Sequence, residues 1–247
     1  MRQRLVILLA GLSSCAIASL PAAAASQNTY GVSAAVVFNK SVKGGGNVDL
    51  VVRNLNTTTS RPFHVSFDYG IRVSGLKLQT YAHEGRMLFY TPNFSLPARQ
   101  QHSFPLVMTS ESASGNSDCY IISVSDAKQA ASFGDMTCVN SNQPSQLVPF
   151  VAYPMKSTGT TLPIRVVVHN FGSKLSAPYY LWFGSQRTGP FAPLKAGNET
   201  VHSVDITPDP DHGSAQFSFL GVALSTSASN AYEPPFSYFT AYVAKQQ

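Results

Sequence analysis

Charge is what this 247-residue chain has least of. Asp, Glu, Lys and Arg together make up 12% of it, about half the share in an average soluble protein. The few basic residues are scattered evenly, too little to argue for a phosphate backbone, and no nucleic-acid partner is expected. After the first 25 residues no apolar run is long enough to span a bilayer, which leaves no transmembrane segment in that part. No window of a dozen residues there shows the 3.6-residue period of a helix. The signatures of common enzymes are missing as well. There is no Gly-x-Ser-x-Gly elbow, no His-Glu-x-x-His pair and no glycine loop to cradle phosphate. With only 12 Asp and Glu, nothing points to a paired-carboxylate site. The expectation is a non-catalytic chain with no cofactor and no bound metal.

What is present begins with a leader. Met1-Arg2-Gln3-Arg4 is basic, Leu5 to about Leu20 is apolar, and Ala22–Ala25 supply small residues before Ser26. These are the three parts of a secretory signal peptide over residues 1–25, with cleavage near Ala25. A rival reading takes Leu12-Ser-Ser-Cys15 as a lipobox whose cysteine carries a lipid anchor, but Ala16-Ile17-Ala18 continue the apolar core. Ordinary cleavage predicts a bacterial periplasmic or secreted protein; lipidation of Cys15 would instead make it an outer-membrane lipoprotein. Removing Arg2 and Arg4 from 17 basic residues leaves 15 against 12 acidic ones, a net charge of +3. Two cysteines then remain, Cys119 and Cys138, and in an oxidising compartment they read as one disulfide.

An internal repeat organises the rest. Leu50-Val-Val-Arg-Asn54 through Pro62–Phe67 returns, without a gap, as Val166-Val-Val-His-Asn170 through Pro178–Phe183. The same offset lays Tyr30–Asn39 over Gln146–Met155. Further on, Phe94–Leu96 matches Phe191–Leu194, and Cys119–Val124 is laid on Gln216–Gly221. The changed offset gives the first copy an insertion at about 69–93. Its alternating Ile71, Val73, Leu76 and Leu78 suggest an added hairpin turning near His83-Glu-Gly85.

Within each copy apolar and polar residues alternate over short runs: Phe63, Val65 and Phe67 against His64, Ser66 and Asp68. Clusters such as Lys43-Gly-Gly-Gly-Asn47 and Lys195-Ala-Gly-Asn198 separate the runs. The fold expected is all-β: two consecutive immunoglobulin-like antiparallel β-sandwich domains after the signal peptide. Residues 26–140 form the first, 141–146 a linker and 147–247 the second.

Two resemblances follow. Val166-Val-Val-His-Asn-Phe-Gly172, Pro178–Leu181 and Leu194-Lys-Ala-Gly197 resemble the CARDB-like tandem immunoglobulin modules of bacterial adhesion proteins. That resemblance implies protein binding and adhesion. More faintly, Asp49–Asn54 and Phe89-Tyr-Thr-Pro92 resemble strings in the periplasmic chaperones of chaperone–usher pili. Those chaperones hold a pilin carboxylate with an Arg on the first strand and a Lys on the last strand of domain one. Here Ser33–Phe38 has no Arg and Leu147–Val151 no Lys.

The candidate sites come from the alternation. If Tyr179, Leu181 and Phe183 face the core, Tyr180 and the only tryptophan, Trp182, face outward, where they could stack on a sugar or anchor a protein. His169 is outward on a strand expected to lie close by. In the insertion, Tyr81, Arg86 and Tyr90 are binding candidates, because long insertions on rigid sandwiches commonly carry such residues. His202, Asp205, Asp209, Asp211 and His212 form the one acidic–histidine cluster, but Pro208 and Pro210 read as a plain turn. The partner expected is a protein or a polysaccharide, held through sheet faces, edges or loops, with edge-strand pairing one mechanism; the alternatives are a periplasmic pilus-assembly chaperone and a carbohydrate-binding or carbohydrate-active protein.

Overall fold

The computed structural model describes residues 29–38, 46–67, 79–83, 86–108, 118–120, 122–126, 136–139, 147–154, 156–157, 159–208, 217–231 and 236–245. The leader, the proposed linker, the first part of the insertion and the Asp209–His212 turn lie outside them. All regular structure among the described residues is β-strand.

In the first half of the chain, β1 (Thr29–Tyr30) and β2 (Val32–Phe38) are one extended run interrupted at Gly31. β2 pairs antiparallel with β3 (Gly46–Asn54), Val32 opposite Asn54 and Phe38 opposite Val48. β4 (Phe63–Phe67) crosses to another sheet. β5 (Gln79–His83) and β6 (Arg86–Tyr90) form the added hairpin, His83 opposite Arg86, and widen that sheet beside β4. β7 (Gln101–Met108) returns to β3. β8 (Asp118–Tyr120) pairs β10 (Met136–Val139), while β9 (Ile122–Asp126) pairs β4.

The second half repeats the order with a single strand, β15, where the first has the β5–β6 pair: β11 (Leu147–Pro154), β12 (Lys156–Ser157), β13 (Leu162–Asn170), β14 (Tyr179–Phe183), β15 (Gln186–Phe191), β16 (Glu199–Ile206), β17 (Phe217–Ser225) and β18 (Phe236–Lys245). One sheet has the order β1-β11-β13-β16. A larger one has the order β15-β14-β17-β18-β10-β8, with β12 running parallel to β18. The other described pairings are antiparallel. β2-β3-β7 and β5-β6-β4-β9 complete the set.

The repeat is visible down to single hydrogen bonds. Buried Asn54 donates through Nδ2 to the carbonyls of Thr58, Leu96 and Pro97, at 2.8, 2.9 and 3.1 Å, and its Oδ1 accepts from Asn56 N. Asn170 donates at 2.8 Å to the carbonyls of both Lys174 and Leu194 and accepts from Gly172 N. Ser60 exchanges two bonds with the backbone of Leu96, and Ser176 does the same with Leu194. Each Asn thus satisfies carbonyls where the chain turns from one sheet to the other, groups that would otherwise be buried unpaired.

One part of the sequence alignment shifts. Val65 stands opposite Val124 and Leu181 opposite Leu224, so Leu224, and not Gly221, takes the place of Val124. An odd slip in a strand exchanges its two faces.

Sandwich packing explains the alternation. Leu162, Ile164, Val166 and Val168 of β13 meet Leu181 and Phe183 of β14 and Leu220, Val222 and Leu224 of β17 in one buried cluster. β11 reads Leu-Val-Pro-Phe-Val-Ala-Tyr and is buried at every one of those positions, the pattern of a strand covered on both faces. Leu147, Val151 and Tyr153 enter the cluster with β14 and β17. Val148, Phe150 and Ala152 enter a second cluster with Ala35, Val37, Val51 and Leu55 of the first half.

The two halves therefore share a buried apolar seam. At its margin Arg53 reaches Glu199 at 2.8 Å and lies over the Phe150 ring, Arg165 donates to the Leu55 carbonyl, and Val151 N donates to Ser33 Oγ. A partly exposed ion pair contributes about 0–1 kcal/mol, whereas burying one large apolar side chain contributes about 1.5–3 kcal/mol. The apolar cluster dominates the seam.

Candidate functional site

β14 has the burial alternation the sequence predicts. Tyr179, Leu181 and Phe183 are buried, while Tyr180 and Trp182 are half-buried on the opposite face. β14 turns into β15 through Gly184-Ser185, with Gly184 at φ 59° and Phe183 opposite Gln186. Glycine at the first of two turn positions suits the right-handed twist of a two-residue hairpin. This register sets Arg187 opposite Trp182. Its guanidinium carbon is 5.0 Å from the Tyr180 ring centre and 5.4 Å from that of Trp182. Across the sheet, Trp182 stands beside Ala223, and Ala223 beside Tyr238. Tyr238 lies over Gly221: a Cβ at that glycine would come within 2.6 Å of the tyrosine hydroxyl, so only glycine permits the approach. Arg187, Tyr238 and Gly221 were not singled out from the sequence. The two-residue turn after Phe183 was the available signal for Arg187; the other two needed the pairing of β17 with β18.

His169 is not part of this surface. It lies on β13, in the sheet opposite β14, and its side chain points away from the sandwich core towards the seam. There it is 3.3 Å from Glu199 and stacks on Phe171, ring centres 4.2 Å apart. The expectation that its strand lies close to Trp182 fails because the chain changes sheets between β13 and β14. Burial works to raise the Glu199 carboxyl's pKa, but the hydrogen bond and charge of Arg53, with those of His169, hold it below the ordinary value.

Tyr81 lies on β5, and Arg86 and Tyr90 on β6, with Tyr81 opposite Leu88 and Tyr90 opposite Gln79. Their side chains lie outside what is described. Cys119 and Cys138 are direct cross-strand partners of β8 and β10. Cα atoms so placed in an antiparallel pair are about 4.5–5.5 Å apart, inside the range a disulfide needs.

Of the acidic–histidine cluster, His202 and Asp205 are described. The His202 imidazole packs against Phe191, ring centres 4.0 Å apart, with Nε2 2.9 Å from the Tyr179 hydroxyl. Burial pushes the His202 pKa down and that of Tyr179 up to about 12. Asp205 is exposed on β16, and Asp209, Asp211 and His212 lie outside the described residues. Among the described residues no three His, Cys, Asp or Glu side chains are grouped to hold a metal ion, and no helix is long and apolar enough to cross a membrane.

No protein-family model matches the chain, and no curated protein matches it. Among solved structures, red sea bream transglutaminase is similar at a TM-score of 0.29 and 9% identity, over 88% of this chain and 32% of that one. The chain thus spans about a third of that protein's length, and a likeness this slight carries no argument about activity.

Proposed function

We propose that this is an exported, non-catalytic binding protein that holds another macromolecule on the outer face of the sheet containing β14, β17 and β18. In this reading a signal peptide at 1–25 is removed, and residues 26–140 and 147–247 are two immunoglobulin-like domains packed along the seam. The protein works in the periplasm or outside the cell. The observation that carries it is the placement of Tyr180 and Trp182: two aromatic rings turned away from a core that its neighbours Tyr179, Leu181 and Phe183 already fill. Large amphipathic rings on a sheet face turned away from the core are the side chains most often found at binding hot spots. Trp182→Ala tests it. Affinity for the partner recovered with the intact protein should fall by about 2 kcal/mol or more, while the thermal midpoint moves little. Unchanged affinity would remove this face as the binding surface.

A further inference from the structure

β16 ends the sheet β1-β11-β13-β16 on one side, and it lacks the devices that usually blunt such an edge. Its register with β13 runs through eight consecutive pairs, from Leu162 opposite Ile206 to His169 opposite Glu199, without a bulge. It contains no proline and no lysine. β15, an edge of the other sheet in this half, has Pro190 within it and a register shift against β14. The alternation of ladder bonds fixes which groups β16 offers. Asn170 N donates to Asn198 O at 2.9 Å, just before the strand begins. Bonds to β13 then fall to Thr200, His202 and Val204, and the N–H and C=O groups of Glu199, Val201, Ser203 and Asp205 point the other way. The side chains of those same four residues are exposed. Val201, at 54% exposure, is one of two large apolar side chains so placed among the described residues. The Glu199 charge is met within the chain by Arg53 at 2.8 Å.

We infer that β16 is a self-association edge: two copies of this chain pair β16 with β16, antiparallel about a twofold axis, with Val201 facing the partner's Val201. Self-complementarity selects a second copy as the occupant. In this register apolar surface meets apolar surface at the axis. Glu199 faces the partner's Ser203 and Asp205 faces the partner's Gly197, so no two carboxylates meet. Sliding one strand by two residues sets Val201 against Ser203 and Glu199 against Asp205, a like-charge pair that destabilises. Sliding it the other way sets Val201 against a carboxylate, that of Glu199. A contact that uses the same strand on both copies closes at two and does not grow into a filament. The edge belongs to the sheet opposite Tyr180 and Trp182, so the inference is independent of the binding face proposed above.

Sedimentation equilibrium of the full chain should show a reversible monomer–dimer equilibrium. Val201→Lys sets two ammonium groups against each other at the axis and should weaken the dimer about tenfold or more. The melting temperature of the monomer should not change, because Val201 is exposed. Cross-linking reads the register. Facing Cα atoms of an antiparallel pair lie about 4.5–5.5 Å apart, within reach of a disulfide, so Val201→Cys should form a covalent dimer on mild oxidation. Ser203→Cys should not, since its copies stand four residues apart along the strands, roughly 13 Å. A monomer at every concentration overturns the inference. So does a dimer that Val201→Lys leaves as tight as the parent, which would place the interface elsewhere. A dimer cross-linked by Ser203→Cys and not by Val201→Cys overturns it as well.

Discussion

Asn54 and Asn170 show how much a single side chain can hold. Replacing Asn170 with Ala leaves the Lys174 and Leu194 carbonyls and Gly172 N without their partner. Unpaired buried polar groups cost about 1–3 kcal/mol each, so Asn170→Ala should lower stability by about 3 kcal/mol, read as a reduced urea midpoint at unchanged slope. A loss below about 0.5 kcal/mol would mean that water replaces the amide. The correspondence of the two asparagines was legible in the repeat. Their role was not, because one set of accepting carbonyls lies 24 residues away and the other 42. Two titrating groups give a second test at this scale. His202, its folded pKa lowered from 6.5 by burial, binds protons more readily unfolded. Its contribution is complete above 6.5 and is lost as the pH falls towards the folded value. Glu199, lowered from 4.5, contributes above that value and loses its contribution as the pH falls through its folded pKa. Both have the same sign, so the melting temperature should fall from pH 7 to pH 4. His202→Phe should flatten the upper part of that fall; an unchanged profile would show that the imidazole does not titrate on unfolding.

Strands were legible in proportion to how simply they are covered. β14 alternates because one face is packed in the core and the other is only half-covered, and period-two reasoning placed Tyr180 and Trp182 on that second face. β11 is covered twice, so its continuous apolar run marked a buried strand without naming what lay on either side. His169 shows the limit: periodicity fixes the face of a strand, but not the sheet it joins. Phe150 lies in the seam and outside the β14–β17 core. Phe150→Ala should nevertheless cost about 3–5 kcal/mol, as a fully buried aromatic does, measurable by denaturant unfolding. A cost near that of a surface residue would show that the seam opens freely. The pairing of β8 with β10 sets Cys119 opposite Cys138. Thiol titration of denatured, unreduced protein should therefore find neither free.

At the scale of the molecule, the seam predicts that the two halves melt together. Calorimetry should give one transition with equal calorimetric and van't Hoff enthalpies; two separated transitions would show that Val148, Phe150 and Ala152 do not couple the halves. The pairing of β10 with β18 also has a consequence for the order of folding. A chain is made from its N-terminus, and Met136–Val139 emerges about a hundred residues before the strand it pairs with, Phe236–Lys245. β1 likewise waits for β11. Until those strands arrive the first half carries bare edges, the state in which strand-rich chains find wrong neighbours. Removing residues 236–247 should thus harm more than the second half. The truncated chain should aggregate during refolding at concentrations where the intact one does not, and its failure should include the half that was made first.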